Sequence, residues 1–286
     1  MKKITAIVFL VGVLSTAIAQ QKPYSQQMAQ TAMHIWPDSF AVKPGNPARW
    51  SYDQGAILKG IEGVWKLYGD ASYFNYIQHS MDFYLQDNGS IKDYKRDEFN
   101  IDHTNNGKVV MMLYNITGKE KYKKAVDNIR SQFNDHPRTK EGSFWHKKIY
   151  PWQVWLDGLY MGQPFYAEYA KLAKQDTVFD DIARQFINVE RHTRDPKTGL
   201  LYHGWDESKE QKWADPKTGC SPHFWGRALG WYGVALVDVL DHFPKNHPGR
   251  DSIIKILNRF VTAVSKVQDK KSGLWYDIVD LPNRPK

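Results

Sequence analysis

Residues 152–192, WQVWLDGLYMGQPFYAEYAKLAKQDTVFDDIARQFINVERH, hold two helices of opposite character. The first, over 152–174, is apolar or small nearly all round, so other helices must enclose it. The second opens after Gln175 and spaces its apolar residues by threes and fours, which gives it one buried face and one wet one. An enclosed helix followed by an amphipathic one is the unit of a two-layered helical wall.

The same unit recurs along the chain. Enclosed segments are expected over 50–68, 102–117, 152–174 and 223–243, and their amphipathic followers open after Gly69, Gly118, Gln175 and Gly249. In the follower that begins at Lys119, residues Tyr122, Val126, Ile129 and Phe133 share one face, while Lys121, Lys123, Lys124 and Asp127 face outward. With a first outer helix near Tyr24 to Trp36, nine helices alternate outer and inner, and no convincing run of strands interrupts them. The expected fold is all-α, an α/α toroid whose inner helices run parallel. Turns from inner to outer helix are short, as at YGD and TGKE. The opposite connections are long and rich in Gly, Asp and aromatics, as over 194–225, and gather on one rim, where function concentrates.

Composition narrows the partners. At 42% hydrophobic and 24% charged, the 286 residues suit a globular protein rather than a disordered or membrane-spanning one. The first residues, MKKITAIVFLVGVLSTAIA, have two lysines, an apolar stretch from Ile4 to Leu14 and small residues ending at Ala19. They are expected to be a secretory signal over 1–19, which implies a periplasmic or secreted protein with no membrane attachment after cleavage. Residues 20–286 are then left to fold as one domain. Cys220 is the only cysteine, so no internal disulfide can form. The formal charge of +8 favours an anionic partner, but lysines and arginines are scattered among the acids, with no basic stripe, so nucleic acid is not that partner. Tryptophan is abundant, at 11 residues, as in many sugar-binding proteins. No metal-ligand, dinucleotide, phosphate-loop or GxSxG pattern occurs, so neither a metal nor a cofactor is expected.

Polar residues fall at similar places near the inner-helix starts. Asp53, Asp102, Asp157 and Arg227 precede Gly69, Gly118, Gln175 and Asp241 by 16, 16, 18 and 14 residues. Parallel inner helices bring them to one mouth, where helix N-termini favour an anion such as a sugar acid. Asp157 lies among Trp152, Trp155, Leu156 and Leu159, an apolar setting that raises a carboxyl pKa and suits a general acid. Asp102 lies among Asn100, Asn105 and Asn106, a polar setting expected to keep it ionised. Arg227 and Trp231 are four apart on one helix face, with Trp225 in the loop before them. Such an Arg grips a carboxylate and such an indole covers a sugar ring. His146 and His203 sit in aromatic-rich loops and can donate to substrate or move protons. For any single Asp, a helix cap is the competing role, and for the aromatics, plain core packing.

The strings WSYDQG, NIDHTNNGK, WLDGLYMGQPF, YHGWDES and WGRALGWYG resemble those of glycoside hydrolase family 105, the unsaturated rhamnogalacturonyl hydrolases, and of the related family 88, the unsaturated glucuronyl hydrolases. The resemblance runs over nearly the whole chain after residue 19. It implies an (α/α)6 barrel that removes the 4,5-unsaturated uronic acid a polysaccharide lyase leaves at a non-reducing end, by adding water across the double bond. It further implies that Asp157 protonates carbon 4 and helps activate water, and that Asp102 orients the ring or shares the proton work. Tyr52, His146, Lys147, His203, Trp225, Arg227 and Trp231 are implied to line the sugar pocket.

The family pattern has twelve barrel helices, and nine are counted here. The expectation is therefore a barrel without its last helices, with apolar faces left uncovered at roughly 25 cal/mol per Å². Two other functions fit the same residues. One is an inverting glycosidase acting on a saturated acidic glycan, with Asp157 as acid and Asp102 as base. The other is a non-catalytic binder of acidic oligosaccharides.

Overall fold

The computed structural model describes residues 22–41 and 46–283; the signal expected over 1–19 lies outside them. The inner layer is α2 (Tyr52–Tyr68), α4 (Gly107–Thr117), α6 (Leu156–Leu172) and α8 (Gly226–His242). The outer layer is α1 (Tyr24–Ile35), α3 (Ala71–Asp82), α5 (Glu120–Asp135), α7 (Val178–Thr193) and α9 (Pro248–Lys266). Inner helices pack in chain order, α2 on α4, α4 on α6 and α6 on α8; α3, α5, α7 and α9 each lie against the inner helix before them, and α1 lies against α2. This is the expected α/α toroid wall, with nine α-helices among the described residues. No described helix is long and apolar enough to cross a membrane.

The helix boundaries follow from local chemistry. Gly69 and Gly118 end α2 and α4 with φ of 71° and 64°, a left-handed backbone that glycine adopts without strain. Asp70 opens α3 by accepting a hydrogen bond from the Ser72 N–H at 2.8 Å. In α5, Tyr122, Val126, Ile129 and Phe133 are buried, as the periodicity requires. α4 starts later than expected, at Gly107, because residues 101–104 form a separate 3-10 turn. A Cβ at Gly107 would stand 2.6 Å from the Phe165 ring, so glycine is what lets α4 approach α6 this closely.

Burial around the inner helices is uneven. α6 is buried on nearly every side, whereas α8 buries Ala228, Leu229, Tyr232, Ala235, Leu236 and Val239 and leaves Val234 and Val237 about half exposed. Its described neighbours, α6 and α9, cover one side only.

One element was not anticipated. β1 (Gln153–Trp155) and β2 (Gly204–Asp206) form an antiparallel two-stranded ribbon with Trp155 opposite Gly204. Strands of three residues are too short to show an alternating pattern in sequence.

At the end of the inner helices remote from the long loops, a cavity of about 390 Å³ is lined by Lys59, Glu62, Lys108, Glu168 and Asp238, among others. Burial pushes the Glu168 carboxyl up to about 7 and the Lys108 ammonium down to about 7. A carboxyl raised on folding stabilises the fold while protonated. That contribution is complete below its unfolded value of about 4.5 and is lost as pH rises through about 7. Glu168→Gln is therefore expected to match the parent at pH 5 and to exceed it at pH 8, by up to about 3 kcal/mol. Equal thermal unfolding midpoints for the two proteins at pH 8 would contradict this.

Candidate active site

The ribbon positions the central carboxylate. Trp155 ends β1 and immediately precedes α6, so Asp157 falls in the first helical turn. The Leu156 N–H donates to the His203 carbonyl at 2.9 Å, tying the start of α6 to the residue before β2. His203 Nε2 thereby comes to 3.0 Å from Asp157 Oδ2. The distance is that of an ionic contact, but the angles are not those of a hydrogen bond, and both atoms are buried without a hydrogen-bond partner. Buried polar atoms left unsatisfied are uncommon and concentrate where a ligand or reaction uses them.

Asp102 lies not in an inner helix but in the 3-10 turn Ile101–Thr104 before α4. The Asn100 side chain caps that turn, accepting from the Asp102 N–H at 3.1 Å. The turn is tied to the ribbon through His146, whose carbonyl accepts from the Ile101 N–H at 3.1 Å and whose own N–H donates to the Gln153 carbonyl at 2.7 Å. Asp102 contacts Lys147 Nζ at 2.7 Å and His146 Nε2 at 3.4 Å. Burial pushes its carboxyl up, but His146 and Lys147 outweigh burial and hold it well below the usual range. The expected charge state is therefore present for a different reason. The asparagines serve the backbone, Asn100 as the cap and Asn105 by donating to the Tyr52 carbonyl at 2.9 Å.

The other site residues close the mouth. Burial and then Asp53 push the Tyr52 phenol up, with Arg227 opposing and Asp102 adding to the shift, so Tyr52 lies in the field of its helix neighbour and of Asp102 and Arg227. The Arg227 guanidinium lies over the Trp225 ring, 3.8 Å from its centroid. Trp225 in turn packs edge-on to His203 at 4.8 Å and donates its Nε1–H to Asp277 at 3.0 Å. Trp231, one turn past Arg227, stacks on Tyr160 of α6 at 4.5 Å, and its Nε1 is buried without a partner, as is His146 Nδ1.

Several contributors were not recognised in sequence. Trp155, read only as apolar surroundings for Asp157, stacks on His146 at 4.2 Å and on Tyr150 at 5.2 Å, and meets His203 edge-on at 5.3 Å. Trp152, expected beside Asp157, packs instead against Trp145 at 4.9 Å. Asp277 lies some 50 residues from the ring it holds, and no local pattern announces such a contact. Among the described residues, no group of three or more His, Cys, Asp or Glu is placed to hold a metal.

The site therefore combines an unsatisfied carboxyl–imidazole pair, an ionised carboxylate paired with lysine, an exposed guanidinium and several aromatic planes. A family model described as Glycosyl Hydrolase Family 88 matches residues 24–286. A solved glycoside hydrolase of family 105 from C. acetobutylicum ATCC 824 is 48% identical with a TM-score of 0.86, over 92% of this chain and 71% of that one. The unsaturated rhamnogalacturonyl hydrolase YesR of Bacillus subtilis is 26% identical over 82% of this chain and 65% of its own length. The unsaturated glucuronyl hydrolase of Bacillus sp. GL1, 12% identical with a TM-score of 0.66, shares the fold over 91% of this chain and 70% of that one. The chain thus spans just under two thirds of YesR, and half of the curated Protein Atu3128 of Agrobacterium fabrum. It belongs to the glycosyl hydrolases of family 88 and its relative family 105.

Proposed function

We propose that this protein hydrates the 4,5 double bond of an unsaturated uronic acid at the non-reducing end of a lyase-generated oligosaccharide, of the rhamnogalacturonan type, and so releases that sugar. The observation that carries this reading is the buried Asp157–His203 pair, 3.0 Å apart and without hydrogen bonds, facing an aromatic and cationic mouth. The family match and the likeness to YesR, an unsaturated rhamnogalacturonyl hydrolase, support it.

The chemistry follows from the groups present. Asp157 gives its proton to carbon 4, and the π electrons of the double bond form the new C–H bond. Positive charge develops at carbon 5 and is shared with the ring oxygen. Water adds at carbon 5 and yields its proton to the Asp157 carboxylate, which restores the acid. The resulting hemiketal opens to a ketone, and the hemiacetal left at carbon 1 expels the neighbouring sugar. His203 lies against Asp157 and orients it, and Asp102, held ionised by Lys147 and His146, stabilises the developing positive charge. Arg227, steadied by the Trp225 face, binds the uronate carboxylate. Residues 20–286 act as one catalytic domain, and the expected signal over 1–19 sends it to the periplasm or the medium.

The experiment is loss of the ene-carboxylate ultraviolet absorbance when the protein is incubated with lyase-treated rhamnogalacturonan. Consumption of saturated fragments without that loss would favour an inverting glycosidase, and binding without turnover a lectin-like role. In the same assay, Arg227→Ala is expected to raise KM by about ten- to a hundredfold, the worth of a charge-assisted contact, with a smaller effect on kcat. Arg227→Lys should recover only part of this, since it keeps the charge and loses the fork. An unchanged KM in the alanine variant would remove Arg227 from carboxylate recognition.

A further inference from the structure

Between the mouth and the cavity at the far end of the inner helices lies a buried cation that the chemistry at Asp157 does not use. Lys108 is in the first turn of α4 and is only 3% exposed. Taking an ammonium out of water is costly unless it is paired and hydrogen-bonded. Among the described residues its one hydrogen bond goes to the Tyr160 carbonyl, at a long 3.4 Å. The charged groups that share its cavity are Lys59, Glu62 and Lys66 of α2, Glu168 of α6, and Asp238, Asp241 and His242 of α8. They carry both signs, and Glu62 is already engaged by Lys59 and Lys66 at 2.7 and 2.5 Å.

The close partner of Lys108 is an aromatic face. Its Nζ stands 3.4 Å from the centroid of the Tyr160 ring, a cation–π contact of the desolvated and therefore stronger kind. Trp231 of α8 stacks on the same ring, with centroids 4.5 Å apart and planes 24° from parallel. Two groups this close would overlap on one face, so the Tyr160 ring is held between ammonium and indole. Tyr160 follows Asp157 by three residues and Trp231 follows Arg227 by four, which puts both about one turn, some 5 Å, below the mouth on the same sides of their helices. Little else fixes the indole. Trp231 Nε1 is buried without a partner, and a Cβ at Gly230 beside it would have nothing from the rest of the molecule within 4 Å.

We infer that Lys108 is a positioning residue for Trp231: its charge clamps the Tyr160 ring, and that ring sets the plane in which the indole meets the sugar. The sugar in this statement rests on the proposed hydration reaction, whereas the clamp itself needs no substrate. Lys108→Met keeps the length of the side chain and removes the charge, which leaves Tyr160 free to tilt. Arginine also lies on aromatic faces, so Lys108→Arg keeps the clamp. Burial pushes the Lys108 ammonium down to about 7, so the clamp is closed below that pH and loosens as pH rises through it.

Two measurements test this and do not fail together. In the free protein, the tryptophan fluorescence lost on Trp231→Phe is followed from about pH 5 to about 9. This difference signal is expected to change near neutrality in the parent background and to be flat in both Lys108→Met and Lys108→Arg, one lacking the charge and the other never losing it. The arginine variant serves alone if the methionine variant does not fold. A flat signal in the parent, or a change that persists without the lysine, where Glu168 is left as the titrating neighbour, overturns the clamp. With an unsaturated uronyl disaccharide below about pH 6, Lys108→Met is expected to raise KM about three- to tenfold with kcat within about twofold, and Lys108→Arg to restore it. Added to Trp231→Ala, it should raise KM no further, because it acts through that indole. Additive losses in the double variant, or an unchanged KM in the single one, overturn the positioning role. If the parent bleaches no unsaturated substrate, the reaction assignment fails instead, and the titration of the free protein still decides the clamp.

Discussion

Asp157→Asn is expected to lower kcat on unsaturated uronyl oligosaccharides by about a hundred- to ten-thousandfold, the usual worth of a positioned general acid. The amide matches the carboxyl in size and cannot deliver a proton to carbon. At 7% exposure and with no hydrogen bond at Oδ2, Asp157 does little to hold the fold together, so unfolding midpoints of the two proteins should nearly coincide. Binding should survive, because Arg227 and the indoles are untouched. Bleaching at more than a tenth of the parent rate would assign the proton to another group, with His203 the neighbour at 3.0 Å.

Asp102→Asn is expected to damage both activity and stability. The substitution removes the charge that faces Lys147 at 2.7 Å and His146 at 3.4 Å, and His146 is almost fully buried. Stranding these partners costs about 1–3 kcal/mol, discounted for the partial exposure of Lys147. Turnover should fall at least about tenfold, as for removal of one preorganised electrostatic contact. The pH dependence gives a second check. The Asp102 carboxyl is depressed on folding, so its stabilising contribution is present above its unfolded value of about 3.8 and is lost only as pH falls through the lower folded value. An activity limb near neutrality must then belong to another group and persist in Asp102→Asn, whereas the loss of stability in strong acid should become shallower. Disappearance of a near-neutral limb in that variant would overturn the division of labour between the two carboxylates.

The register of Asp102 and Asp157 against the ends of their helices led to the expectation of one shared mouth, and in the structure Asp102 contacts His146 and Lys147, Asp157 contacts His203, and Trp155 packs against both histidines. What failed was the account of their surroundings. Asp102 was given to a helix and is in a 3-10 turn, because an asparagine cap at 100 competes locally with helix continuation. Its charge state was assigned to nearby asparagines, whereas Lys147 and His146, about 45 residues away, impose it. Trp155 was seen as padding and is the plane against which both site histidines pack.

Helical periodicity by itself determined the layering: amphipathic segments had to lie outside, and segments apolar all round had to lie within, since burial of apolar surface allows no other arrangement. Spacing also determined that polar groups recur near the starts of the inner helices. Only the tertiary structure decided which imidazole meets which carboxylate, which lysine holds Asp102 ionised and which indole packs against both His146 and His203. Those contacts join residues tens of positions apart through a ribbon of two three-residue strands, and no pattern confined to neighbours along the chain can encode a distance between them.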